Sequence, residues 1–230
     1  MMVWIFVEGE SDKIALNALW STWKSKLGKA GWGIHLIPLE DKSRFFRKIG
    51  HRAAEKLAHD VSDLVVGLPD LYPNVEYAST EYAHADLAGL RSLQSSLVKK
   101  ALQDIYSKSD AQAQDVMKRF HPTALKHDLE VLLLAAIDEL RQVLGSSEAL
   151  GKWRHPVEDQ NQSNPPKYVV EALFRTKKKR RYRDTTDAKA VLDKVSDIKK
   201  LLYNDKTQLE CPVFKQTMDW IATKTGVEGY

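Results

Sequence analysis

Five consecutive apolar residues, Val3-Trp4-Ile5-Phe6-Val7, stop abruptly at Glu8-Gly9. A β-branched and aromatic run of this length has no polar alternate face, so it predicts a strand buried on both sides, as in a parallel sheet covered by helices. The pattern continues in that sense. Leu16, Trp20, Trp23 and Leu27 recur at helical spacing, with Ser11 or Asp12 available as N-cap. Ile34-His35-Leu36-Ile37 reads as a second strand, and Phe45, Ile49, Ala53 and Leu57 as a second helix. Asp63 to Leu68 is a third short strand ending at Pro69-Asp70. Strands alternating with helices predict an α/β fold with a parallel, doubly wound sheet flanked by helices.

Residues 69–85 are rich in proline and polar side chains and form a long connection at a strand's carboxyl end, the place where α/β proteins build sites. Leu87, Leu90, Leu93, Leu97 and Ala101 mark a helix, and Arg119 to Pro122 begins a fourth strand. Leu129, Leu132, Leu133, Ala136, Leu140 and Leu144 share one face of a further helix, with His127, Asp128 and Glu130 in its first turn. A Gly/Ser/Asn/Pro-rich stretch from Gly145 to Pro166 predicts a division into an α/β part, 1–144, and a C-terminal basic helical extension, 145–230, packed on it. The extension holds a short helix from Lys167, a basic run, a helix through Ala188, Val191, Val195, Ile198 and Leu202, and a last helix through Phe214 and Trp220.

At 43% hydrophobic and 29% charged, the 230 residues have the composition of a soluble globular protein able to bury a core. No apolar run approaches the roughly 20 residues of a membrane span, and Val3 to Val7 is too short for a signal-peptide core, so a cytoplasmic protein without membrane partners is expected. The single cysteine, Cys211, excludes a disulfide framework, and no Cys or His pair has zinc-ligand spacing. The net charge of +4 is uneven: residues 166–230 hold 15 Lys+Arg against 9 Asp+Glu. Arg175 to Arg183 alone has seven cations in nine residues, and its Lys177, Lys178, Lys179, Arg180, Arg181 and Arg183 suit a phosphate backbone, with Tyr182 placed to stack on a base. A solvated loop without ligand is the alternative.

Acids recur where strands end or the next helix starts: Glu8 with Asp12, then Asp70, then Asp128 with Glu130. In a parallel sheet these ends meet at one edge. Carboxylates gathered there repel one another, and a hard divalent cation such as Mg²⁺ or Mn²⁺ relieves the repulsion. Asp12, Asp128 and Glu130 also suit plain helix capping. Glu8, between a buried strand and a glycine, caps nothing obvious. His121 and His127 are assigned no role.

Val7-Glu8-Gly9-Glu10-Ser11-Asp12 resembles the first motif of Toprim-like domains, and Gly67-Leu68-Pro69-Asp70-Leu71-Tyr72-Pro73 the later Asp motif. His127 to Ala135 resembles a His-x-x-Glu helix, and Pro165-Pro166-Lys167, Tyr182 and Cys211-Pro212-Val213-Phe214 follow in order. Together they resemble a small Toprim-like family of prokaryotic antiphage defence loci, related to overcoming-lysogenization-defect nucleases and often encoded beside an ABC- or AAA-type ATPase. The resemblance implies a Mg²⁺- or Mn²⁺-dependent nuclease acting on DNA or RNA with an ATPase partner. Glu8, Asp12 and Asp70 would be metal ligands, Glu8 alternatively a general acid/base, Glu130 a further ligand or an orienting carboxylate, and Lys167 a contact to the scissile phosphate. Leu68 departs from the broader Asp-x-Asp pattern, which leaves a single-metal enzyme or a non-catalytic subunit binding nucleic acid or the ATPase.

Overall fold

The computed structural model describes residues 1–204 and 208–230. The first strand, β1 (Met2–Val7), leads through α1 (Glu10–Leu19) and α2 (Ser21–Lys29) to β2 (Gly33–Pro38), and α3 (Lys42–His59) leads to β3 (Leu64–Leu68). After the long connection come α4 (Leu87–Asp104), α5 (Asp110–Met117) and β4 (Phe120–Pro122). These strands form a four-stranded sheet in the order β2-β1-β3-β4, parallel throughout. The chain goes on through α6 (Glu130–Ala135) and α7 (Ile137–Leu144) to α8 (Pro166–Lys177), then by a π-helical turn (Asp184–Ala188) to α9 (Lys189–Leu192) and α10 (Ile198–Leu202). A small ribbon, β5 (Tyr203–Asn204) with β6 (Gln208–Leu209), precedes α11 (Pro212–Thr225).

Alternation along the strands sorts the apolar residues into two cores. Val3, Ile5 and Val7 of β1 and Leu64, Val66 and Leu68 of β3 face one side, where α1, α6 and helices of the C-terminal extension cover them. Phe6 and Val65 face the other side, against Phe45, Phe46 and Ile49 of α3 and Leu90 and Val98 of α4. A sheet covered on both faces needs strands without a polar face, which is why β1 reads as an unbroken apolar run. The extension is part of this packing. Val170, Phe174, Val191, Phe214 and Ile221 are buried in the same core as β1, and Trp20 stacks on Phe214 at 5.7 Å between ring centroids.

One glycine is required by a close approach. A Cβ on Gly67 would stand 2.0 Å from Oε1 of the buried Gln94, whose amide donates to the Thr123 carbonyl at 2.9 Å. The missing side chain at Gly67 therefore makes room for the Gln94 side chain of α4.

The helices differ from the sequence pattern at their breaks. The stripe from Leu16 to Leu27 is split at Trp20 (φ −94°, ψ 12°), which turns α2 so that Trp20 and Trp23 meet edge-on at 5.8 Å. The stripe from Leu129 to Leu144 is split at Ala136 (φ −83°, ψ 52°), and the one from Ala188 to Leu202 is interrupted between Leu192 and Ile198. Helix α5 was not expected, yet its signal is present: the Ser109 hydroxyl accepts from the Gln112 amide and Gln112 Oε1 accepts from the Ser109 amide, a reciprocal cap. No described helix is long and apolar enough to cross a membrane.

Candidate functional site

The strand order reverses at β1: the chain leaves β1 for β2 by α1 and α2 on one face of the sheet and returns past it to β3 by α3 on the other. This switch point is where an open α/β sheet leaves a crevice. Glu8 follows β1 and Asp70 follows β3, and the two ends are joined directly: the Asp70 backbone N–H donates to Glu8 Oε1 at 3.0 Å. Asp70 is anchored from its other side by a parallel bridge to Leu125, and the Leu71 amide donates to the Leu125 carbonyl at 2.7 Å. Its carboxylate oxygen Oδ1 is buried and has no hydrogen-bond partner.

Around this pair lies a cavity of about 210 Å³ whose lining includes Glu8, Asp12, Asp70, Asp128, Glu130 and Lys167. Helix α1 starts at Glu10, with Gly9 rather than Ser11 or Asp12 as its N-cap residue. Asp12 reaches back and accepts the Gly9 N–H at 2.8 Å, so it both fixes the turn after Glu8 and lines the cavity. Asp128 precedes α6 and Glu130 is its first residue. Lys167 comes from the start of α8, and its backbone N–H reaches Asp128 Oδ2 at 3.3 Å. The extension thus supplies an ammonium group to a site whose acids come mainly from strand ends and the starts of α1 and α6.

The electrostatics follow from crowding. Burial raises the Asp12 carboxyl to about 6, with the charges of Glu130 and Asp184 adding to it. Burial raises Asp128 to about 8, again with Glu130 contributing. Asp70 is pushed well above the carboxylate range by burial and then by Glu8, Asp12 and Asp128. Glu130 is raised by burial against the pull of Lys167. Burial works against the charge on Lys167, but Glu130, Asp184 and Asp128 outweigh it and hold the ammonium above its ordinary value. Lys42, whose Nζ donates to the Pro73 carbonyl at 2.6 Å, partly offsets the charge around Asp70.

The donor chemistry fits a hard divalent cation. The acids supply oxygen donors, and Asp70 Oδ1 and Asp128 Oδ1 are buried without partners. Among the described residues, however, no three His, Cys, Asp or Glu side chains are gathered closely enough to hold one ion. Leu68 is no part of the site. It pairs with Val7 in the sheet, faces the same way as Leu64 and Val66, and is 1% exposed in the core.

The basic run divides by environment. Arg180 makes a bidentate pair with Asp187 at 2.7 Å to each oxygen and lies 5.2 Å from the Phe174 ring. Lys177 pairs with Glu148 at 3.0 Å. Lys178, Lys179, Arg181 and Arg183 are exposed. Tyr182 does not stand out among them as an outward stacking ring: it packs on Phe174 at 5.1 Å, its hydroxyl is buried and turned toward Glu130, and burial together with the Glu130 charge raises its phenol. The anchored Arg180 and Tyr182 therefore shape the loop, and the exposed cations form its outer surface.

Asp184 and Lys42 also line the cavity and carry no local signal in the sequence. Only the packing of distant segments brings them there. His121 stacks on Trp220 at 4.9 Å and burial lowers it to about 4, while His127 tilts against Tyr72. A family model described as a domain of unknown function, DUF4276, matches residues 7–221. No curated protein and no solved structure matches the chain.

Proposed function

The chain belongs to the DUF4276 family, and within it we propose that this member is a Toprim-type, metal-dependent nuclease, an antiphage effector that works with an ABC- or AAA-type ATPase. The observation that carries the reading is the switch-point pair: Glu8 bound to the Asp70 amide, with Asp70 Oδ1 and Asp128 Oδ1 buried and unpartnered beside it. Glu8, Asp12, Asp70 and Glu130 line one cavity and would have to draw closer together to hold Mg²⁺ or Mn²⁺. Such an ion, when bound, makes a water nucleophilic and offsets charge on the leaving oxygen of a phosphodiester. Lys167 presents its ammonium to the scissile phosphate. Asp128, whose carboxyl is pushed up by burial and by the Glu130 charge, lines the same cavity as a candidate proton donor to the departing oxygen. The exposed Lys178, Lys179, Arg181 and Arg183 attract the nucleic-acid backbone.

A second reading, a non-catalytic subunit that binds nucleic acid or the ATPase, is favoured by one observation: a core leucine stands where the broader Toprim pattern has its first Asp. Cleavage separates the two. End-labelled DNA and RNA are incubated with Mg²⁺ or Mn²⁺ and the full chain, alone and with the ATPase that co-purifies from the native host. The nuclease reading expects cleavage that Glu8→Gln and Asp70→Asn each abolish, with nucleic-acid affinity retained. Variants that cleave as fast as wild type would transfer the activity to another protein and leave this chain the binding role.

A further inference from the structure

Helix α8 starts at the candidate site and runs to the basic loop, and its outward face is unlike the rest of the surface. Tyr168 follows Lys167 directly and is 60% exposed. Among the described residues the other exposed large hydrophobic side chains are aliphatic: Met1, Val61, Val75 and Ile105. Tyr168, Ala172 and Arg175 are spaced four and three residues apart, so they share one helix face, and Tyr168 and Arg175 stand open to solvent at its two ends. At 1.5 Å per residue, Tyr168 and Arg175 are about 10 Å apart along the axis. Arg175 and Arg181 line a second concavity of about 270 Å³, together with Glu171 and Tyr182. Two guanidinium groups at one cavity suit a phosphate, since each presents a planar fork of donors. Glu171 is half-buried and within electrostatic reach of Lys167.

We infer that the outward face of α8 is the substrate track, with Tyr168 stacking on an unpaired base beside the phosphate at Lys167 and Arg175 with Arg181 holding a backbone phosphate further along, so that the chain selects single-stranded nucleic acid. The inference rests on the nuclease reading for the role of Lys167, but not for binding itself. An aromatic ring open to solvent takes the face of an unpaired base, whereas a base inside a duplex offers no free face. The cations supply affinity without sequence preference. Tyr168 is then the specificity-determining residue that Tyr182, half-buried against Phe174, is not.

The test is fluorescence anisotropy in EDTA on the full chain, with a short fluorescein-labelled single strand as DNA and as RNA, and the same sequence as a duplex. Wild type binds the single strand more tightly than the duplex, and the two arms show whether the sugar matters. Tyr168→Ala weakens single-strand binding about tenfold, and Tyr168→Trp restores it, because stacking needs a π-face rather than a hydroxyl. Arg175→Gln with Arg181→Gln flattens the slope of log affinity against log salt by about 0.7 for each phosphate that is no longer neutralised. Equal affinity of wild type and Tyr168→Ala, or tighter binding of the duplex, overturns the inference. The two readings fail separately: cleavage that is unaffected in Tyr168→Ala sinks only the track, whereas a stacking-dependent affinity without cleavage in any metal sinks only the nuclease.

Discussion

Asp70 is stable where it stands only because the fold forces it there. Its carboxyl is raised by burial and by Glu8, Asp12 and Asp128, which means the folded chain binds protons more tightly than the unfolded chain does. The sign follows. A raised carboxyl contributes stability below its unfolded value near 4, and loses it as pH rises through the folded values, about 6 for Asp12 and about 8 for Asp128. Urea unfolding of the metal-free protein should therefore show stability falling from pH 5 to pH 8 more steeply in wild type than in Asp70→Asn. The variant should be the more stable of the two at pH 8, by about 1 kcal/mol or more, the gain expected when a functional charge is removed from a crowded site. A less stable Asp70→Asn at pH 8 would mean that the carboxylate is not under repulsion. The acids themselves were legible one by one, because Glu8 and Asp70 interrupt apolar strands at their ends. Their convergence was not, since 62 residues separate the two partners of the Glu8–Asp70 bond.

At the scale of elements, the least legible feature is how α11 begins. Its first free amides, those of Val213 and Phe214, are capped from a distance by Glu158, which is 1% exposed and accepts them at 2.8 and 3.0 Å. Burial raises this carboxyl to about 7 even though both amides favour its charge. Local sequence shows only Cys211-Pro212, a proline at the first turn, and gives no sign of a cap 55 residues upstream. Glu158→Ala leaves two buried N–H groups without partners and should cost about 2–4 kcal/mol in urea unfolding, while Glu158→Gln, which keeps the volume and one of the two acceptor oxygens, should cost about half of that. Equal losses would indicate that the helix start needs both carboxylate oxygens and that side-chain volume adds nothing at this position. The helix breaks at Trp20 and Ala136 have the same origin: the apolar spacing continues through both, and only the neighbouring helices decide where the axis turns.

For the whole molecule, the C-terminal extension closes one face of the sheet. Val170, Phe174, Val191, Phe214 and Ile221 are buried with β1 and β3, and fully burying each such side chain is worth about 1.5–3 kcal/mol. Their combined contribution is comparable to the entire stability of a typical domain, about 5–15 kcal/mol. Residues 1–144 expressed alone should therefore lack cooperative unfolding and bind a hydrophobic dye, measured by circular dichroism and dye fluorescence. A truncated chain with a sharp thermal transition would show that the sheet can do without this cover. The same arrangement explains why Lys167 and Tyr182 reach the acids: the segment that seals the core also crosses the crevice.

The sequence by itself determined the parallel α/β sheet, because strands buried on both faces must be apolar at every position, and helices must carry a stripe; both patterns are local and periodic. It also determined which acids stand at strand ends. Only the tertiary structure decided that Glu8 meets Asp70, that Leu68 belongs to the core, that Arg180 pairs with Asp187 and Tyr182 packs on Phe174 while Tyr168 stays out, and that α11 is capped by Glu158. Each of these depends on contacts between segments far apart in the chain, and a polar or aromatic residue looks the same in sequence whether its partner is solvent or another helix. Periodicity fixes which face of an element is apolar; the packing of elements against one another fixes which polar groups are brought together.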